Sequence, residues 1–92
     1  MRLEPGATPT DRFYMGVSQL GADRFDEALN VFRALSGQDG LDENQLRWYE
    51  ALSLTALGRT QEAKEILAAL ANGGDYASDA RALLEQLRQQ GF

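Results

Sequence analysis

Histidine and cysteine are both absent from the 92 residues of this chain. Their absence removes the commonest general base and the commonest metal ligand, together with thiolate nucleophiles, disulfides and zinc–thiolate sites. Long hydrophobic runs are missing too. The longest, Ile66 to Ala71, is far short of the ~20 apolar residues that a membrane span needs. The opening Met1-Arg2-Leu3-Glu4-Pro5-Gly6 has no apolar core of the signal-peptide kind. A soluble protein with neither span nor signal peptide is therefore expected, in a compartment the residues do not specify. Positive charge is scarce: 9 basic residues stand against 14 acidic ones, giving a net charge of −5. Such a field repels phosphate backbones and anionic lipid, so neither nucleic acid nor a membrane surface is expected as a partner.

What is present is ordinary globular composition, 43% hydrophobic and 25% charged, at a length that makes one domain. The organising feature is an internal repeat. Shifted by 35 residues without a gap, Arg12 to Leu35 aligns with Arg47 to Leu70, and 8 of the 24 positions are identical. Typical residue usage gives roughly two by chance. The identities are Arg12/Arg47, Tyr14/Tyr49, Ser18/Ser53, Arg24/Arg59, Glu27/Glu62, Ala28/Ala63, Ala34/Ala69 and Leu35/Leu70. Phe13/Trp48, Gly16/Ala51, Val31/Ile66 and Phe32/Leu67 extend them as similar pairs.

Within each unit the apolar spacing is helical. Phe25, Ala28, Leu29, Phe32 and Leu35 recur on one face, as do Ala63, Ile66, Leu67 and Leu70. Second helices are thus expected over about 24–36 and 60–72. First helices, over about 9–21 and 43–57, carry apolar residues on more than one face and are expected to form an inner, sandwiched layer. Thr8-Pro9-Thr10-Asp11 reads as an N-cap, a proline at the first position and an acid at N3. Asp42 with Gln45 has the capping-box spacing, and Leu41 can staple onto Leu46. Asp23, Thr60 and Asp75 offer comparable starts, while Gly37, Gly40, Gly58 and Gly73-Gly74 supply the stops. A fifth helix, about 76–89, has one apolar stripe of Tyr76, Ala80, Leu83, Leu84 and Leu87 on an otherwise polar circumference. It reads as a cap that closes the stack.

The pattern as a whole resembles the tetratricopeptide repeat family. Ala28-x3-Phe32 and Ala63-x3-Leu67 match its small–large crossing pair, Met15-Gly16 its Leu-Gly pair and Gly58 its turn glycine. The resemblance spans about residues 9–90 and implies an all-α solenoid of antiparallel helix–turn–helix repeats. Repeat one would cover 9–40, repeat two 42–74 and the capping helix 76–89, after a flexible segment 1–8. The departures are Arg12 and Arg47 at the usual tryptophan, with the aromatic moved to Phe13 and Trp48, and Glu50 where a buried leucine is common. The stretch from Arg47 to Leu54 and the terminal Tyr76 to Leu84 look most like bacterial tetratricopeptide proteins of the cell-envelope and anti-sigma-like type.

The resemblance also implies a concave groove lined by Phe13, Val17, Leu20, Trp48, Leu52 and Thr55, an apolar bed for a helix or extended peptide with Trp48 as anchor. The competing reading packs Phe13 and Trp48 into the core. The family's carboxylate-clamp positions hold Phe13, Val17, Trp48 and Leu52 here, so that ligand is not expected. Asp39, Asp42 and Glu43 miss the calcium-loop spacing, and no nucleophile, oxyanion donor or phosphate loop accompanies any pair of acids. The expectation is therefore a non-catalytic protein-interaction scaffold without metal or cofactor. The alternative is a structural or oligomerisation segment of a longer repeat protein. Upstream of Pro9 nothing has an apolar period, so the outer side of repeat one, with Tyr14, Phe25 or Leu29 near it, is expected to lie uncovered. Upstream repeats or a second copy would then meet it.

Overall fold

Local chemistry sets the helix ends in this computed structural model, which describes residues 8–90. Of the flexible segment expected over 1–8, residues 1–7 lie outside the described residues, and Thr8 is instead held as a helix cap. Thr8 caps α1 (Pro9–Gly21): its hydroxyl accepts from the Asp11 N–H at 3.1 Å, and the Asp11 carboxylate accepts from the Thr8 N–H at 3.3 Å. This is the reciprocal capping box. Asp42 caps α3 (Glu43–Ala56) by accepting from the N–H groups of Asn44 and Gln45 at 2.9 and 3.4 Å. Gln45 makes no return bond to Asp42, so only half of the box forms.

The starts of α2 (Phe25–Leu35) and α4 (Thr60–Leu70) correct the sequence reading. Neither Asp23 nor Thr60 is a cap; Arg24 and Arg59 hold the N-cap positions and make no side-chain capping bond. Asp23 is consumed by the turn itself, at φ 65°, where repeat two has Gly58 at φ 80°. Only a left-handed residue there lets the Arg24 N–H reach the Gln19 carbonyl (2.8 Å) and the Arg59 N–H reach the Leu54 carbonyl (2.9 Å). Each arginine then pairs one turn on, Arg24 with Glu27 at 3.7 Å and Arg59 with Glu62 at 2.8 Å. Two of the 35-residue identities are thus a clamp on the start of each second helix.

Together with α5 (Ala77–Gln90) these make five helices and no strand among the described residues. The chain is all-α, with every helix bound within two residues of its sequence expectation. Each helix packs against the next in chain order. Pairing is antiparallel: Gln19 meets Glu27 near the first turn, and Phe13 meets Phe32 at the far end of the same two helices. One apolar cluster gathers Phe13, Ala28, Phe32, Leu35 and Leu46. The other joins Leu29, Ala51, Leu54, Ala63 and Leu67 to Ala80, Leu84 and Leu87 of α5. Ala28, Ala63 and Ala80 are wholly buried, as crossing residues must be if axes are to approach within about 8–10 Å.

Complementary sizes distinguish the repeats. A Cβ on Gly16 would fall 2.8 Å from the Phe32 ring, whereas the equivalent pair in repeat two is Ala51 with Leu67, both wholly buried. Glycine accommodates the larger ring, and alanine the smaller leucine. The sandwiched layer is realised only by α3, which buries Leu46, Glu50, Ala51, Ser53 and Leu54 on several sides. By contrast α1 buries only Phe13 and Gly16. The far end is closed by α5, which buries Ala77, Ala80, Leu84 and Leu87 and exposes Asp79, Glu85, Gln86 and Arg88. Arg81 adds a bond from its guanidinium to the Ala71 carbonyl at 3.0 Å, satisfying the end of α4.

Candidate interaction surface

The spacing i, i+4, i+7 places Val17 and Leu20 beside Phe13 on one side of α1, and Leu52 and Thr55 beside Trp48 on the matching side of α3. Of these six, Val17, Leu20, Trp48, Leu52 and Thr55 are all half-buried. Phe13 is not a surface residue. At 5% exposure it is enclosed by Tyr14, Phe32 and Tyr49, with ring centroids at 5.6, 5.8 and 5.3 Å. The reason lies in Tyr49, whose ring closes over Phe13 from the next repeat while also lying 5.6 Å from Phe32. Trp48 has a different neighbour. It stacks on Tyr76 at 5.8 Å with 23° between the rings, one edge against the core around Leu54 and Leu84. Thr55 turns its hydroxyl inward to the Ala51 carbonyl at 2.8 Å, leaving its methyl as the group it can offer.

The aromatic rings therefore form two groups, Tyr14, Phe13, Phe32 and Tyr49 where α1, α2 and α3 meet, and the Trp48–Tyr76 stack between α3 and the residue before α5. Tyr76 lies just before α5, an element that periodicity alone assigned to a cap, so its role as the far wall of Trp48 was not readable from spacing. Burial first, and then the nearby Tyr49 and Asp42, push the Tyr76 phenol above its ordinary pKa, against the opposing hydrogen bond from Gln45. It remains a neutral donor and acceptor at neutral pH.

Two clefts recur at equivalent places in the repeats. One of about 230 Å³ lies between α1 and α2, lined by Arg12, Met15, Val31, Ala34 and Leu35. Its counterpart between α3 and α4, about 270 Å³, has Arg47, Ile66, Ala69 and Leu70 together with Glu43 and Asn44. Four lining residues correspond at the 35-residue offset, so several of the conserved spacings in the repeat are cleft walls. The rims differ. Arg47 is tied to Glu43 at 3.4 Å, and the Glu43 carboxylate also accepts from the Ser36 hydroxyl (2.7 Å) and the Gly37 N–H (3.1 Å). Those bonds, Ser36 first, hold the Glu43 carboxyl below its ordinary pKa. Repeat one has Thr8 in Glu43's place, and among the described residues Arg12 makes no ion pair.

Glu50, standing where a leucine was expected, is explained by a partner that the repeat does not announce. The Arg33 guanidinium donates to Glu50 at 3.0 Å and to Glu62 at 3.1 Å, linking α2, α3 and α4. The Glu50 side chain is 12% exposed and that of Arg33 42%. Hydrogen bonding to Glu50 is the largest influence raising the Arg33 pKa, and Arg59 ahead of Arg33 lowers that of Glu62. Asp42 is committed to its cap and Glu43 to the Ser36 turn. Among the described residues, no group of three acidic side chains is placed to hold a metal ion, and no helix is long and apolar enough to cross a membrane.

Among the described residues, the exposed apolar side of repeat one is smaller than its sequence outline. Tyr14 is exposed as expected, at 62%. Leu29 is not on that face: it is 2% exposed in the cluster around Leu54, because it points toward α3. Phe25 is half-buried and lines a small hollow with Leu57, again on the side of repeat two. Met15, 52% exposed, takes their place beside Tyr14. Compared with protein-family models, curated proteins and solved structures, the chain matches none of them.

Proposed function

We propose that the chain is a non-catalytic protein-interaction module of two tetratricopeptide-like repeats and a capping helix, taking an apolar peptide or helix across its first helices. The observation that carries this reading is the row of half-buried side chains, Val17 and Leu20 on α1 and Trp48, Leu52 and Thr55 on α3. Partly exposed apolar side chains on rigid helices lose little entropy when covered, and an aromatic stacked in place is already ordered for contact. Phe13 supports the row from beneath. The absence of histidine and cysteine, and the engagement of Glu50 and Glu62 by Arg33, favour this reading over a catalytic one. A second reading, assembly into a larger helical stack, is favoured by one observation, the exposure of Tyr14 and Met15.

Peptides selected by display against the intact chain supply the test. Apolar or amphipathic sequences are expected, and Leu52→Lys should weaken them roughly tenfold or more by placing a charge in the bed. The same substitution should move the melting temperature by less than ~3 °C, since Leu52 is half-buried. Selected peptides that bind Leu52→Lys as tightly as the parent would reject the first-helix surface.

A further inference from the structure

Three asparagines occur in the chain, Asn30, Asn44 and Asn72. The first two lie in helices, Asn30 in the middle of α2 and Asn44 in the first turn of α3, with Val31 and Gln45 following them. Asn72 alone stands outside a helix, in the turn after α4, exposed and followed by Gly73. That turn is thinly held. The Asn72 N–H donates to the Ala69 carbonyl at 3.3 Å and the Gly73 N–H to the Leu70 carbonyl at 3.4 Å, both longer than the ordinary ~2.9–3.0 Å. Beyond the adjacent residues, no atom lies within 4 Å of where a Cβ on Gly73 would be. An asparagine amide is one carbon removed from its own main chain, so the next residue's nitrogen can close a five-membered ring on its Cγ. Helical dihedrals keep that nitrogen out of reach, and cyclisation at Asn30 or Asn44 needs local unwinding. At Asn72 the rotation costs two long bonds and no part of α4, and Gly73 has no side chain to block the approach.

We propose that Asn72 and Gly73 form a self-modification site, where the asparagine is converted to aspartate and isoaspartate and the link between α4 and the capping helix is loosened. Solvent base takes the Gly73 amide proton, and the nitrogen attacks Asn72 Cγ to form a C–N bond. The Cγ–Nδ2 bond then breaks, and Nδ2 takes up a proton and leaves as ammonia. Water opens the resulting succinimide at either carbonyl carbon. Attack at Cγ gives aspartate; attack at the main-chain carbon gives isoaspartate, whose chain runs on through Cβ and Cγ. Water is the only co-reactant, and nothing is oxidised or reduced. Either product puts a new carboxylate at the C-terminal end of α4, where the helix dipole disfavours it. Isoaspartate also lengthens the main chain by one carbon between α4 and Tyr76. Two contacts depend on that length, the Tyr76 ring on Trp48 at 5.8 Å and the Arg81 guanidinium on the Ala71 carbonyl at 3.0 Å.

The test holds the full chain in mildly alkaline buffer, samples it over days, and weighs its proteolytic peptides. The peptide with Asn72 should gain the mass of an amide-to-acid change roughly tenfold or more faster than those with Asn30 and Asn44. The rate should rise with pH, because the deprotonated nitrogen is the attacking group. Asn72→Gln, incubated in parallel, should show no gain at that position, since closure there needs a larger ring. In the aged parent, Trp48 emission should shift to the red and its quenching by iodide should increase; in aged Asn72→Gln neither should change. Asp39-Gly40, another exposed pair able to cyclise, is present in both chains and so cancels in the comparison. An unmodified Asn72, or one converted no faster than Asn30 and Asn44, would overturn the proposal. So would Trp48 signals that stay constant in the aged parent, or that change equally in the glutamine variant.

Discussion

Arg33 and Glu50 show how two polar residues in an apolar place become asymmetric. Glu50 is almost enclosed while Arg33 is near half exposed and holds a second partner in Glu62. Removing the arginine strands a carboxylate in low dielectric; removing the glutamate leaves a cation that keeps both water and Glu62. Arg33→Leu should therefore destabilise by about 1–3 kcal/mol, and Glu50→Leu by much less or not at all. Paired denaturant melts of the two variants check the order, and equal losses would mean that the pair acts as a simple surface bridge. The sequence marked Glu50 as out of pattern but could not name its partner, since Arg33 lies 17 residues away on a helix face with no period to predict it.

At the level of elements, the existence and approximate extent of all five helices were legible, and the starts of α1 and α3 in detail, because glycine stops, Thr8 and Asp42 act through neighbours in the chain. The starts of α2 and α4 were not, because a left-handed Asp23 and a left-handed Gly58 do the same work there, and composition alone suggests a cap for one and a stop for the other. The fit of α1 on α2 rests on the absent side chain of Gly16 beneath Phe32. Gly16→Ala should cost about 1–3 kcal/mol by overpacking, more than the ~1 kcal/mol that alanine gains in helix propensity. Combined with Phe32→Leu, which imports the Ala51–Leu67 solution of repeat two, the loss should be smaller than the sum of the two single losses. A double-mutant cycle with no coupling would mean that the repeats do not trade volume at this crossing.

For the molecule as a whole, sequential antiparallel packing spreads five helices over 51 × 26 × 16 Å, so first helices stay partly exposed where a bundle of equal size would bury them. Half of the candidate surface was legible from the sequence: the equal positions on α1 and α3 followed from the repeat. The enclosure of Phe13 and the pairing of Trp48 with Tyr76 did not, because each depends on an aromatic contributed by the following unit. The claim that the first helices offer a binding bed rests most heavily on Trp48, the single tryptophan, whose emission reports that one place. Iodide quenching of the free chain should be intermediate, below that of free tryptophan but well above zero, and should fall when a selected peptide is added. A blue-shifted emission that iodide cannot reach, unchanged by any peptide that binds, would place Trp48 in the core and contradict the account.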